Sequence, residues 1–272
     1  MKYQVINLRE EPINGFMPTL TTYLIDDCFD ADSGRKLPAM IVCPGGGYAY
    51  CSKREAEIIA LQFTAAGYHA FVLDYAVAPD NHYPEPQKNL SDAVSLVRKN
   101  AEEWRVDADK IALIGFSAGG HLAASLATMW NKEPLKKEDE SNKPNAAILS
   151  YPVISSVEGV GHMGSFDNLC ETDKELRVKM SLETQVDTDT PPCFIWHTFA
   201  DQTVPVENSL RFAGALNNAK IPFEMHIFPD GQHGLSVSNH ITAADENSNV
   251  PEVRVWVELA VKWLNRTFNY GN

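Results

Sequence analysis

The chain has 272 residues, 44% of them hydrophobic, and its 23 Lys and Arg against 36 Asp and Glu give a formal net charge of −13. That length suits one large α/β domain with a sizeable core. The acidic balance counts against nucleic acid and anionic membranes as partners, because both repel a negative surface. Five cysteines (Cys28, Cys43, Cys51, Cys170 and Cys193) are scattered without a C-x-x-C pair. This argues for reduced thiols rather than a zinc site or disulfide framework.

The first residues, "MKYQVINLREEP", carry charges and no apolar h-region. They predict neither a signal peptide nor a membrane span, and hence a cytoplasmic protein. "YQVINL" and "TTYLID" predict antiparallel edge strands. Six short apolar runs predict buried strands: "AMIVCP" (39–44), "AFVLDY" (70–75), "KIALIGF" (110–116), "AAILSYP" (146–152), "CFIWHT" (193–198) and "FEMHIFP" (223–229). Helical spacing fills the intervals at 53–66, 87–104, 118–130, 206–218 and 252–268. In the last, Val253, Trp256, Val257, Ala260 and Trp263 recur at i, i+3, i+4, i+7. Strands alternating with helices predict a mostly parallel sheet covered on both faces. Residues 131–145 read as a charged surface loop. Residues 153–190 leave the C-terminal end of a strand, where α/β sheets bind ligands, and predict a lid or pocket wall.

The chemistry is announced by "IALIGFSAGGHLAA". Gly115-Phe116-Ser117-Ala118-Gly119 is a G-x-S-x-G between a strand and a helix. Side chains at the two glycines would clash in so sharp a turn, and the turn lifts a hydroxyl to a helix N-terminus that favours a developing anion. Serine needs a base to become a nucleophile, and in this arrangement acid and histidine follow it in that order. Of eight histidines, His69 precedes the serine, His121 lies on the following helix and His162 precedes the acid. His197 and His226 sit inside strands and read as satisfied core residues. His233, in "FPDGQHG" just past a strand, is the candidate base, with His240 as the fallback. Asp201, at the end of the strand "CFIWHTFA", is the candidate acid, and Asp230 is expected to shape the turn before His233. In these roles Ser117 attacks an acyl carbon, His233 carries the proton and Asp201 fixes the imidazole tautomer.

"VCPGGGYAY" (42–50) ends a strand in three glycines. A phosphate loop would need G-K-[ST], which is missing. Exposed backbone N–H groups suit an oxyanion hole, assigned to Gly46, Gly47 and Ala118, each donor stabilising the transition state by about 3 kcal/mol. Which two of Gly45, Gly46 and Gly47 donate stays open. Tyr48, directly after the glycines, and Phe199, two residues before Asp201, are expected to border the substrate. Phe116 and Trp196 are assigned to the core. No metal cluster is visible in the sequence, and acyl transfer by serine requires no cofactor.

Five motifs in order resemble the α/β-hydrolase superfamily: "PGGGY", "LDYAVAPDNHYPEPQKNLSDAVSLV", "DADKIALIGFSAGGHLAASLA", "TPPCFIWHTFADQTVPVENSLRFAGAL" and "PDGQHGL". Within it they are most similar to small bacterial carbohydrate esterases of the acetyl-xylan-esterase-like and feruloyl-esterase-like kind. The resemblance implies an α/β-hydrolase fold over residues 1–272 and hydrolysis of short acyl esters, often acetyl groups on sugars. It also implies a small-molecule ester as partner and a homodimer or homotetramer. Three positions depart from the family pattern: Pro44 replaces a common histidine, Ala76 the arginine of D-Y-R, and "HTFAD" lacks the glycine of H-G-x-x-D. Two other functions share the residue order. One is a prolyl-oligopeptidase-like peptidase, which usually carries a further large domain. The other is a catalytically silent receptor, which typically loses a triad member.

Overall fold

A computed structural model describes residues 1–28 and 33–271. Eight strands form one sheet: β1 (Lys2–Asn7), β2 (Thr19–Leu24), β3 (Leu37–Cys43), β4 (His69–Asp74), β5 (Val106–Phe116), β6 (Ala146–Ser150), β7 (Cys193–Thr198) and β8 (Phe223–Phe228), in the spatial order β1-β2-β4-β3-β5-β6-β7-β8. β1 pairs with β2, and β2 with β4, antiparallel. Every later pairing is parallel. The helices are α1 (Glu57–Ala65), α2 (Glu85–Lys99), α3 (Ala101–Trp104), α4 (Ala118–Met129), α5 (Met163–Cys170), α6 (Lys174–Lys179), α7 (Glu207–Ala219) and α8 (Trp256–Phe268).

The predicted helix over 87–104 breaks at Asn100 into α2 and α3. The segment 153–190 holds α5, α6 and a 3-10 turn at Leu182–Thr184. Asn208 of α7 pins this insertion: its side chain accepts from the N–H groups of Ile154 and Ser155 and donates to Val160 O.

Side-chain alternation along the strands builds two cores. On β3, Ala39, Ile41 and Cys43 pack with Leu90, Val94 and Val97 of α2, Leu122 and Leu126 of α4, and Phe212 of α7. Met40 and Val42 face the other way, onto Ile59 and Phe63 of α1 and Trp256, Ala260 and Trp263 of α8. Central strands buried on both faces read as continuous apolar runs. The run "FEMHIFP" is an exception. β8 is the edge of the sheet and only half buried, so His226 is not a core residue. It pairs with Glu224 at 2.9 Å instead.

The connections run one way from β3 to β4 and the other way from β5 onward, so the order reverses between β3 and β5. At that point the carboxyl ends of two adjacent parallel strands open a crevice. Cys43 and Gly115 are paired there, so the chain continues into the glycine loop on one side and Ser117 on the other.

Candidate active site

The turn between β5 and α4 is built by exclusion. Ser117 has φ +52 and ψ −119, a strained conformation of the kind that persists only where its surroundings enforce it. A Cβ on Gly115 would lie 2.0 Å from Gly119 O, one on Gly119 would lie 2.1 Å from Cys43 O, and one on Gly120 would lie 2.8 Å from Pro152 Cβ. The glycines thus let α4 start against the end of β3, and α4 is buried along its whole length. Ser117 N–H donates to Ser150 O at 3.0 Å, which ties the turn to the end of β6.

Ser117 Oγ is 2.8 Å from His233 Nε2, and His233 Nδ1 is 2.6 Å from Asp201 Oδ2. A carboxylate only accepts, so Nδ1 carries the proton and Nε2 is left to accept the serine hydroxyl. The three residues come from loops 116 positions apart in sequence at the widest. Asp201 Oδ1 accepts from Thr203 N–H and Val204 N–H, both at 2.9 Å. Buried His197 approaches Oδ2 at 3.4 Å. Burial alone would raise the Asp201 carboxyl. The hydrogen bonds from His197, His233 and Val204 outweigh it and hold the group well below the usual carboxylate range.

Gly46 and Gly47 face the same cleft as Ser117. Gly45 is otherwise engaged: its N–H donates to Glu55 Oε2 at 2.9 Å. Among the described residues the N–H groups of Gly46, Gly47 and Ala118 make no hydrogen bond. This singles out Gly46 and Gly47 from the three glycines. Gly46, at φ +124, allows no side chain, since a Cβ would meet Tyr50 O at 2.0 Å.

Two expected pocket residues lie elsewhere. Tyr48, at φ +58, turns its ring inward. It is 1% exposed, with its hydroxyl 2.8 Å from His121 Nδ1. The tight turn that aims the glycines at the cleft points the next side chain into the core. Phe199 is 71% exposed and does not line the cleft. Its backbone N–H bonds to Phe228 O, which fixes the chain there with the ring in solvent. Phe116 and Trp196 are buried as expected, with Trp196 stacked on Trp256 at 5.0 Å.

The cleft, of about 360 Å³, is instead walled by polar groups, including Ser52, Arg54, Glu55, His162, Asn168 and Thr203, with Tyr50 at its edge. His162 and Asn168 come from the insertion at α5. His162 Nδ1 accepts from Ser165 N–H at 3.3 Å, and Asn168 Nδ2 donates to Gly47 O at 2.8 Å. Burial, reinforced by nearby His233, lowers the pKa of His162. Chain order set His162 aside as a base, but an order rule carries no information about a wall residue.

Glu55 went unmarked in the sequence. It is 3% exposed, and its second oxygen accepts from Tyr151 Oη at 2.6 Å. Tyr151 Oη in turn accepts from Ser236 N–H at 2.9 Å. Burial and the adjacent Glu55 push the Tyr151 hydroxyl well above its ordinary value, so it stays protonated and donates. A charged residue three positions after Ser52, in the polar stretch beyond the glycine loop, carries no periodic signal. Only its burial marks it. Among the described residues no group of three or more His, Cys, Asp and Glu side chains is arranged to hold a metal ion.

The model of the BD-FAE family matches residues 26–216. Endo-1,4-beta-xylanase B of Butyrivibrio fibrisolvens is 43% identical over 235 residues, which is 83% of this chain and 36% of that protein. Acetylxylan esterase of Xylanibacter ruminicola is 32% identical over 217 residues, 76% of this chain and 43% of that protein. The chain therefore spans less than half the length of these relatives. Among solved structures, an acetyl ester-xyloside bifunctional hydrolase from Caldicellulosiruptor lactoaceticus superposes with a TM-score of 0.87 at 36% identity, over 98% of this chain and 97% of that one. The carboxylesterase Cest-2923 from Lactobacillus plantarum superposes with a TM-score of 0.87 at 29% identity, over the whole of both chains. A family match over most of the chain, joined by relatives of this identity, makes the conclusion direct: the chain belongs to the BD-FAE family of α/β-hydrolase esterases.

Proposed function

We propose that the protein is a serine esterase that removes short acyl groups, acetyl above all, from sugars or oligosaccharides. The observation that carries this reading is the hydrogen-bonded line Ser117–His233–Asp201 opening onto a polar cleft. Ser117 attacks the ester carbonyl while His233 takes its proton. The oxyanion forms against the N–H groups of Gly46, Gly47 and Ala118. His233 then protonates the leaving alcohol, and water repeats the cycle on the acyl-enzyme. Asp201, held ionised, stabilises the imidazolium in both halves.

The lining supports a polar alcohol and a short acyl group, because among the described residues that wall the cleft there is no Leu, Ile, Val, Met or Phe side chain. The xylan-related names of the relatives support the same substrate class. A full set of triad side chains in hydrogen-bond contact speaks against a silent receptor. The test is a hydrolysis screen of acetylated xylo-oligosaccharides and simple sugar acetates beside synthetic esters of increasing acyl length. Turnover of sugar acetates that falls steeply beyond short acyl chains is expected. Activity on synthetic esters alone would remove the carbohydrate assignment, and no turnover on any ester would remove the esterase one.

A further inference from the structure

The triad and the glycine loop reach the cleft from four separate strand ends, yet the chemistry needs them in register to a fraction of an ångström. The buried carboxyl of Glu55 lies between two of them. Oε2 receives Gly45 N–H at 2.9 Å, and Oε1 receives Tyr151 Oη at 2.6 Å. Tyr151 Oη receives Ser236 N–H, three residues beyond His233. The ring of Tyr151 stands edge-on to the His233 imidazole, with centroids 5.1 Å apart and planes at 72°. A second link closes the circuit: Ser236 Oγ donates at 2.6 Å to the carbonyl of Arg54, the neighbour of Glu55.

Three features set this circuit apart from ordinary packing. Glu55 forms no ion pair among the described residues, and a buried carboxyl held only by hydrogen bonds is a costly choice for stability alone. Gly45 is pressed between Glu55 and the nucleophile turn: a Cβ there would lie 2.6 Å from Glu55 Oε2 and 3.2 Å from Ser117 Cβ. Tyr151 also holds φ +36, a strained backbone for a bulky residue, while meeting both partners.

We propose that Glu55 and Tyr151 are a positioning pair that locks the oxyanion loop and the histidine loop into one geometry. By taking the N–H of Gly45, Glu55 fixes the peptide planes of the loop and leaves the Gly46 and Gly47 donors for the cleft. Through Tyr151 the same carboxyl sets the start of the segment that follows His233. The inference rests on the serine-hydrolase reading of Ser117, but neither residue touches the reacting atoms.

The test uses Glu55→Gln, Tyr151→Phe and the double variant in the full chain. Glutamine cannot satisfy both neighbours: with its amide NH2 toward Gly45 two donors face each other, and with NH2 toward Tyr151 the phenol must accept twice and donate to nothing. Phenylalanine removes one oxygen and leaves the ring on His233. Turnover of p-nitrophenyl acetate is read per serine titrated with a fluorophosphonate, beside the rate of that phosphonylation, whose transition state places a negatively charged phosphoryl oxygen in the same hole. Each single variant is expected to lower kcat and the phosphonylation rate by about 10- to 100-fold with KM within about threefold, the split expected when only the transition state loses support. The double variant is expected to fall no further than the worse single one, because the pair acts as a unit. Singles whose kcat per titrated serine stays within about twofold while only Tm drops would overturn the proposal, and so would a double variant showing the product of the two single losses. Tyr151→Phe decides alone if Glu55→Gln does not fold. Wild-type turnover that Ser117→Ala abolishes carries the esterase reading separately, and the phosphonylation rate reports on positioning whether or not an ester is turned over.

Discussion

Gly119 lies so close to the end of β3 that a Cβ added to it would stand 2.3 Å from the carbonyl oxygen of Pro44. This contact joins the first turn of α4 to the start of the glycine loop. Neither partner in it is a flexible side chain, so relief requires backbone movement. Gly119→Ala is therefore expected to separate α4 from the glycine loop and to lower kcat/KM by at least about 100-fold, the scale of losing one oxyanion donor. Gly214, exposed on α7 with nothing within 4 Å of a new Cβ, provides the control. Gly214→Ala should raise stability by about 0.5–1 kcal/mol, seen as a higher Tm, and leave turnover unchanged. A Gly119→Ala enzyme with unimpaired kinetics would contradict the steric account of the turn.

Asp201→Asn separates orientation from charge. An amide NH2 turned toward His233 Nδ1 leaves the imidazole to carry its proton on Nε2, facing Ser117, where it cannot act as base. The loss in kcat is expected to reach about 10⁴-fold, the scale known for the corresponding change in other triads. Circular dichroism should show the fold intact, because Oδ1 still accepts from Thr203 and Val204.

Stability should fall in mild acid through two buried histidines. His121 Nε2 donates to Met180 O at 2.9 Å, so Nδ1 must accept from Tyr48 Oη. Burial pushes the pKa of His121 down from 6.5 to about 4, and burial does the same for His69. Both pKa values are lower folded than unfolded, so the unfolded chain binds more protons between these limits. Their stabilising contribution is complete above pH 6.5 and is lost as pH falls toward 4, at ~1.4 kcal/mol per pH unit for each histidine. Urea unfolding across this range should show that slope reduced by one histidine's share in His121→Asn, although the variant is less stable at pH 7. An unchanged slope would assign the acid loss to other groups.

Much of the candidate site is legible in the sequence because the proposed chemistry depends on a strict local turn. The glycines around Ser117 mark a steric need that only glycine meets, and His233 and Asp201 stand just past strand ends, where a parallel sheet presents its loops. Side-chain direction was less legible. Tyr48 was expected at the cleft but faces inward because its positive φ reverses its course, and Phe199 faces solvent. Glu55 and Tyr151 meet across 96 positions, a pairing that no period of 2 or 3.6 encodes. The edge position of β8 was equally hidden, since a half-buried edge strand can be as apolar as a central one.

The central claim is that Ser117 carries the acyl group. Acid-quenching the enzyme during turnover of an acetyl ester, then mapping its peptides by mass spectrometry, tests this directly. The account predicts one acetyl group on the peptide containing Ser117, none in Ser117→Ala, and no turnover in that variant. Sustained hydrolysis by Ser117→Ala, or an acetyl group held on another residue in the wild type, would contradict it.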